Sequence, residues 1–132
     1  MRLVALGPEH NDADHAAWSA SIEHIRATPG FQGHDWPPTE GMSLEENFAD
    51  LERHARDFAE RAGFTYTVLA PAGDAVLGCV YIYPSRAERH DADVRSWVRA
   101  DVPELDRELH AAVRRWLADA WPFDAVDYAD RG

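Results

Sequence analysis

Apolar residues recur at steps of three and four in two long stretches of the chain. Leu44, Phe48, Leu51, Ala55, Phe58 and Ala62 form one row; Leu105, Leu109, Ala112, Val113, Trp116 and Leu117 form the other. Each row predicts an amphipathic helix with a single apolar stripe. Ser43 and Glu46 open the first as a capping box, and Gly63 is expected to close it. Trp121-Pro122 ends the second. An earlier helix is expected after the capping-rich run Glu9-His10-Asn11-Asp12-Ala13-Asp14. It carries Trp18, Ile22 and Ile25 on one face and stops at Thr28-Pro29-Gly30.

Between the helices the pattern changes to β-branched and aromatic runs. Arg2 to Leu6, Phe64 to Leu69, Ala75 to Tyr83, Val94 to Arg99 and Phe123 to Tyr128 read as strands. The turn Ala70-Pro71-Ala72-Gly73-Asp74 joins the second and third as an antiparallel hairpin. Gly78 in mid-strand signals a bulge or a close backbone approach. The last strand–helix–strand unit implies a parallel pair. The order β-α-α-β-β-β-α-β gives an α/β (α+β) fold with a mixed sheet, as one domain over residues 1–132. Residues 28–43 form a long Pro- and Gly-rich loop, and its Phe31, Trp36 and Met42 require something to pack against.

Charge narrows the function. The net charge is -11 and the pI about 4.9, which argues against nucleic acid or an anionic membrane as partner. All 13 basic residues are Arg, so Schiff-base and P-loop lysine chemistry are excluded. Cys79 stands alone in an apolar strand, so no intrachain disulfide forms and a buried thiol is expected. No run is long and apolar enough to span a membrane, and the N-terminus reaches Pro8-Glu9 too soon for a signal peptide, which reads as cytoplasmic. His10, Asp12, Asp14 and His15 match no zinc spacing, and His90-Asp91-Ala92-Asp93 reads as a solvated loop; no metal is expected.

The segments Phe64-Thr65-Tyr66-Thr67-Val68-Leu69 and Ala75 to Tyr83, then Val94 to Arg99 running straight into a helix, resemble the GNAT superfamily of N-acetyltransferases over nearly the whole chain. The resemblance implies acyl transfer from acetyl-CoA to a small-molecule or peptide amine. It implies a cofactor held by the backbone of the fourth strand and by N–H groups opening the next helix, here Trp97, Val98, Arg99, Ala100 and Asp101. Trp97 itself is expected in the core. Arg99 matches the family's phosphate loop, but both of its glycine positions are lost and Pro103 removes a donor. Asp101 and Glu104 are expected to cap the helix themselves. The family's last helix and closing strands have no counterpart. The resemblance places the acceptor beside the 28–43 loop, where Phe31, Asp35 and Trp36 suit a cationic amine, with Tyr83 on the strand face shared with Tyr81. Asp127 and Tyr128, at the ligand end of the last strand, are the candidate base and acid. A homodimer is expected through the unpaired edge of that strand or across the splay between the fourth and fifth strands. The alternative reading is a GNAT-like domain that binds a ligand or protein without catalysis.

Overall fold

The computed structural model describes residues 1–131. One sheet holds five strands in chain order: β1 (Arg2–Ala5), β2 (Phe64–Leu69), β3 (Val76–Pro84), β4 (Ala92–Val98) and β5 (Val126–Tyr128). β1 to β4 pair antiparallel, and β5 joins β4 in parallel through the connecting helix α4 (Leu105–Ala120). The sheet is therefore mixed, as the element order implied.

Alternation along the strands divides the apolar residues between two cores. On one face Cys79 and Trp97 pack with Trp18 of α1 (Asn11–Ser19), Ile25 of α2 (Ile22–Ala27), Phe31, and Leu51 of α3 (Leu44–Ala59). On the other, Val80, Ile82, Val94 and Val98 meet Leu109, Val113 and Leu117 of α4. Each such side chain contributes about 1.5–3 kcal/mol by leaving water. Gly78 serves a close approach: a Cβ there would lie 2.2 Å from the Trp97 carbonyl oxygen of β4. Among the described residues no helix is long and apolar enough to cross a membrane.

Four local expectations are corrected. The single helix expected after the run at 9–14 and up to Thr28 breaks into α1 and α2 at Ser21, whose backbone leaves helical angles (φ -129°) and whose hydroxyl accepts the Ala100 N–H at 2.9 Å. Gly63 does not cap α3; Arg61 takes the left-handed conformation instead. Gly63 is needed because a Cβ would lie 2.1 Å from the Tyr83 ring. The apolar row of α3 does not bury along its whole length, since Leu44 and Phe48 are 48% and 42% exposed while polar Asn47 is buried. Finally, β4 starts at Ala92, inside the stretch read as a solvated loop. The Asp91 carboxylate accepts the N–H groups of Asp124 and Ala125 at 2.7 and 2.9 Å just before β5, which is only three residues long.

The capping box forms as expected. Ser43 Oγ accepts the Glu46 N–H at 3.1 Å, and Glu46 Oε1 accepts the Ser43 N–H at 2.9 Å. Ser43→Ala should lower the unfolding free energy by about 1 kcal/mol, read by urea denaturation.

Candidate active site

The sheet face under α1 and α3 is not filled. A cavity of about 350 Å³ lies there, walled by Phe31, Trp36, Tyr81 and Tyr83 and floored by charged groups from three elements. Tyr81 and Tyr83 reach it because they alternate on one face of β3. Asp93 and Arg95 do the same from β4, where Tyr81 pairs with Arg95 and Tyr83 with Asp93. Asp14 comes from α1, and Asp50, Arg53 and His54 from α3. The 28–43 loop supplies Phe31 and Trp36, whose ring centroids stand 6.1 Å apart. Trp36 lies 6.0 Å from Tyr81.

A buried amide fixes one side of the cavity. Asn47 accepts the Trp18 indole N–H at 3.1 Å and donates to Asn11 Oδ1 at 2.8 Å and to Asp14 Oδ2 at 3.1 Å. Asp14 is only 4% exposed, yet its second carboxylate oxygen has no partner among the described residues. Burial pushes its pKa from the ordinary 3.8 up to about 6, the Asn47 bond opposing. At neutral pH it is still mostly a carboxylate.

A second network holds His54. Its Nδ1 lies 3.0 Å from the Tyr83 hydroxyl and 3.0 Å from Thr65 Oγ1. Tyr83 donates its single proton to Asp57 Oδ2 at 3.0 Å. Tyr83 can then only accept from His54, which assigns the proton to Nδ1 and leaves Nε2 as an acceptor without a partner among the described residues. Burial first, and the Arg53 charge second, lower the His54 pKa to about 4, so the ring is neutral at pH 7. Burial raises the Tyr83 hydroxyl as well.

The end of β4 is a different kind of place. Trp97 is fully buried and donates its indole N–H to the Tyr81 hydroxyl at 2.9 Å, the core role expected of it. Arg99 grips Asp101 with Nε at 2.8 Å and Nη2 at 2.5 Å. That bidentate pair is why Asp101 caps no helix, and Glu104 at the start of α4 makes no side-chain cap either. The N–H groups of Ala100, Val102, Leu105 and Asp106 already have acceptors in Ser21 and in the turn itself. Beyond Val94, β4 has no β5 partner, and the side chain of Arg131 lies there. It is 5% exposed, donates to Asp106 Oδ2 at 2.7 Å, and reaches the Ser96 carbonyl at 2.9 Å.

The structure thus places the proposed residues apart. Phe31, Trp36 and Tyr83 line the cavity, whereas Asp35 is exposed and outside it. Trp97, Val98, Arg99, Ala100 and Asp101 run along the strand-to-helix junction. Tyr128 is buried on the α4 face with its hydroxyl 2.5 Å from Ser96 Oγ, and Asp127 is exposed; neither lines the cavity. Reading the residues weighed Asp14 only as a metal ligand, and missed His54 and Arg95 as site residues. Asn47, Asp50, His54 and Asp57 recur at helical steps beside the apolar row of α3, and that polar row was the available signal.

No family model matches the chain, and no characterised protein matches it in sequence. Solved structures do match. The ribosomal-protein-S5-alanine acetyltransferase from Vibrio fischeri superposes with a TM-score of 0.65 at 12% identity, over 89% of this chain and 63% of that one. RimL, a ribosomal L7/L12 alpha-N-protein acetyltransferase in complex with coenzyme A, gives 0.65 at 15% identity, over 89% and 64%. The microcin C7 self-immunity acetyltransferase MccE, in complex with acetyl-CoA and AMP, gives 0.61 at 10% identity, over 89% and 63%. The fold is GNAT-like. The chain spans less than two thirds of the length of these three neighbours.

A GNAT-like fold implies acetyl-CoA. At the phosphate end the residues present do not fit it. The N–H groups of Ala100, Val102, Leu105 and Asp106 are engaged, and Arg99 is neutralised by Asp101, whose exposed carboxylate sets a negative charge beside the junction. Each charge-assisted hydrogen bond forgone costs about 1.5–3 kcal/mol of anion binding.

Proposed function

We propose that the chain is a GNAT-like N-acyltransferase whose acceptor, a small amine, enters the cavity under α1 and α3. The observation that carries this reading is the pairing of a buried, half-satisfied Asp14 carboxylate with a neutral His54 against aromatic walls. An ammonium group suits such a site by ion pairing with Asp14 and by cation–π contact with Trp36 and Tyr81. An amine must shed a proton before it can attack a carbonyl. Asp14, with its pKa raised to about 6, is the better acceptor of the two; His54 at about 4 holds a proton about a hundredfold less well. His54 Nε2 is then a neutral acceptor that orients the amine. An acyl thioester would supply the acyl group.

The misfit at the junction concerns only the grip on the donor's phosphates, so the reading entails weak donor binding. Acetyl-CoA and longer acyl-CoAs are to be titrated by calorimetry, with thiol release followed while phenethylamine is present. Binding in the micromolar to millimolar range with amine-dependent thiol release is expected. The spent junction donors favour a second reading, a GNAT-like domain that binds its amine and does not acylate it. Amine binding without acyl-CoA binding at millimolar concentration decides for that one.

A further inference from the structure

Every arginine but one is either paired or exposed among the described residues. Arg2, Arg26, Arg53, Arg99, Arg114 and Arg131 have hydrogen-bond or ion-pair partners. Those at 56, 61, 86, 89, 107 and 115 are exposed. Arg95 is neither. It is half-buried in the cavity wall, and among the described residues no carboxylate, carbonyl or hydroxyl accepts from it. Its stem packs beside Gly30, where a Cβ would lie 3.7 Å from the Arg95 side chain. Leaving a guanidinium partly out of water with no acceptor is unfavourable, and such sites are built for an anion.

The same cavity holds the opposite need. Asp14 is 96% withdrawn from solvent and has one oxygen free. Arg53, which could answer it, is already within 3.8 Å of Asp50 and 3.6 Å of Asp57. The walls between are the rings of Phe31, Trp36 and Tyr81. A ligand that satisfies all three features carries an ammonium, a single planar anion and an apolar body. A doubly charged phosphate would meet repulsion from Asp14 and Asp93, which favours a carboxylate.

We propose that the cavity recognises a free amino acid with an apolar or aromatic side chain, its amino group on Asp14 and its carboxylate on Arg95. This rests on the amine-acceptor reading above and names the acceptor's class. A cavity of about 350 Å³ accommodates a molecule the size of phenylalanine.

The test needs no acyl donor, so it stands apart from any failure of acyl transfer. L-Phenylalanine, phenethylamine and 3-phenylpropionate are titrated into the full chain by calorimetry or tryptophan fluorescence. L-Phenylalanine should bind at least about tenfold tighter than either analogue. Arg95→Gln should bring it down to the level of phenethylamine and leave phenethylamine unchanged. Arg95→Lys should keep part of the preference, because the charge remains while the bidentate geometry is lost. Equal binding of L-phenylalanine and phenethylamine overturns the proposal, as does an unchanged preference in Arg95→Gln or no binding of any of the three at millimolar concentration. If Arg95→Gln binds none of them, Arg95→Lys decides: preference retained supports the assignment, and preference lost overturns it.

Discussion

Asp14→Asn should raise the unfolding free energy near pH 7 by on the order of 3 kcal/mol, and should have little effect below pH 4. The buried carboxylate has its pKa raised from 3.8 to about 6. Between those values the folded chain holds a proton that the unfolded chain has released, so this group's contribution is full in acid and is lost as the pH rises to 6. Asparagine fills the same space and can still accept the Asn47 N–H, so the variant removes the penalty without opening a hole. His54 works in the opposite direction. Its pKa falls from 6.5 to about 4, so its contribution is present above pH 6.5 and is lost as the pH drops to 4. In the native chain the two slopes nearly cancel over pH 4–6. Asp14→Asn should therefore expose a steep acid lability from His54. His54→Asn should instead show stability rising, relative to the native chain, as the pH falls from 6 to 4. Chemical denaturation across pH 4–8 reads all three proteins, and parallel pH profiles for Asp14→Asn and the native chain would sink the assignment. A carboxylate that destabilises its own fold at neutral pH is the mark of a group retained for binding.

Much of the frame was legible because it depends on periodicity. The rows at Leu51-Phe58 and Leu105-Leu117 set the helices on the two sheet faces, and the hairpin from Phe64 to Tyr83 followed from residue type alone. The site was not legible, and α3 shows why. An apolar-only reading centres its buried face on Phe48. The true face is one position over, on Asn47, because Asn47 bridges Trp18, Asn11 and Asp14 and is satisfied in the interior. That rotation turns Phe48 toward solvent and brings His54 toward the sheet. Arg95 escaped notice for a related reason: its sequence neighbours Asp93 and Trp97 share its face, and only the fold shows that no carboxylate of the described residues closes on the guanidinium. The likeness to acetyltransferases points to the strand-to-helix junction at the end of β4, whereas the open cavity is lined by Asp93 and Arg95 from the start of that strand. Gly63 is similar, since contact with the Tyr83 ring 20 residues away decides its identity, not the helix end beside it.

Arg131→Ala should lower the unfolding free energy by about 3–5 kcal/mol, an effect out of proportion to its place near the end of the chain. Its guanidinium is buried, pairs with Asp106 at 2.7 Å, and donates to the Ser96 carbonyl and hydroxyl at 2.9 and 3.2 Å. Asp106 Oδ1 already lies buried without a partner among the described residues, so losing Arg131 leaves the carboxylate uncompensated there. Removing both charges should cost less than the sum of the single changes. A double-mutant cycle of Arg131→Ala and Asp106→Ala in urea should give a coupling of more than about 1 kcal/mol, and strict additivity would contradict the pairing. Acyl-CoA binding should move the opposite way. Arg131 covers the Ser96 carbonyl on the part of β4 that β5 does not pair, where an extended ligand arm could otherwise reach the strand. Its charge is neutralised by Asp106 and offers little to a phosphate. Arg131→Ala should therefore bind acyl-CoA more tightly than the native chain although it is less stable. A weaker affinity would show instead that Arg131 itself contacts the donor.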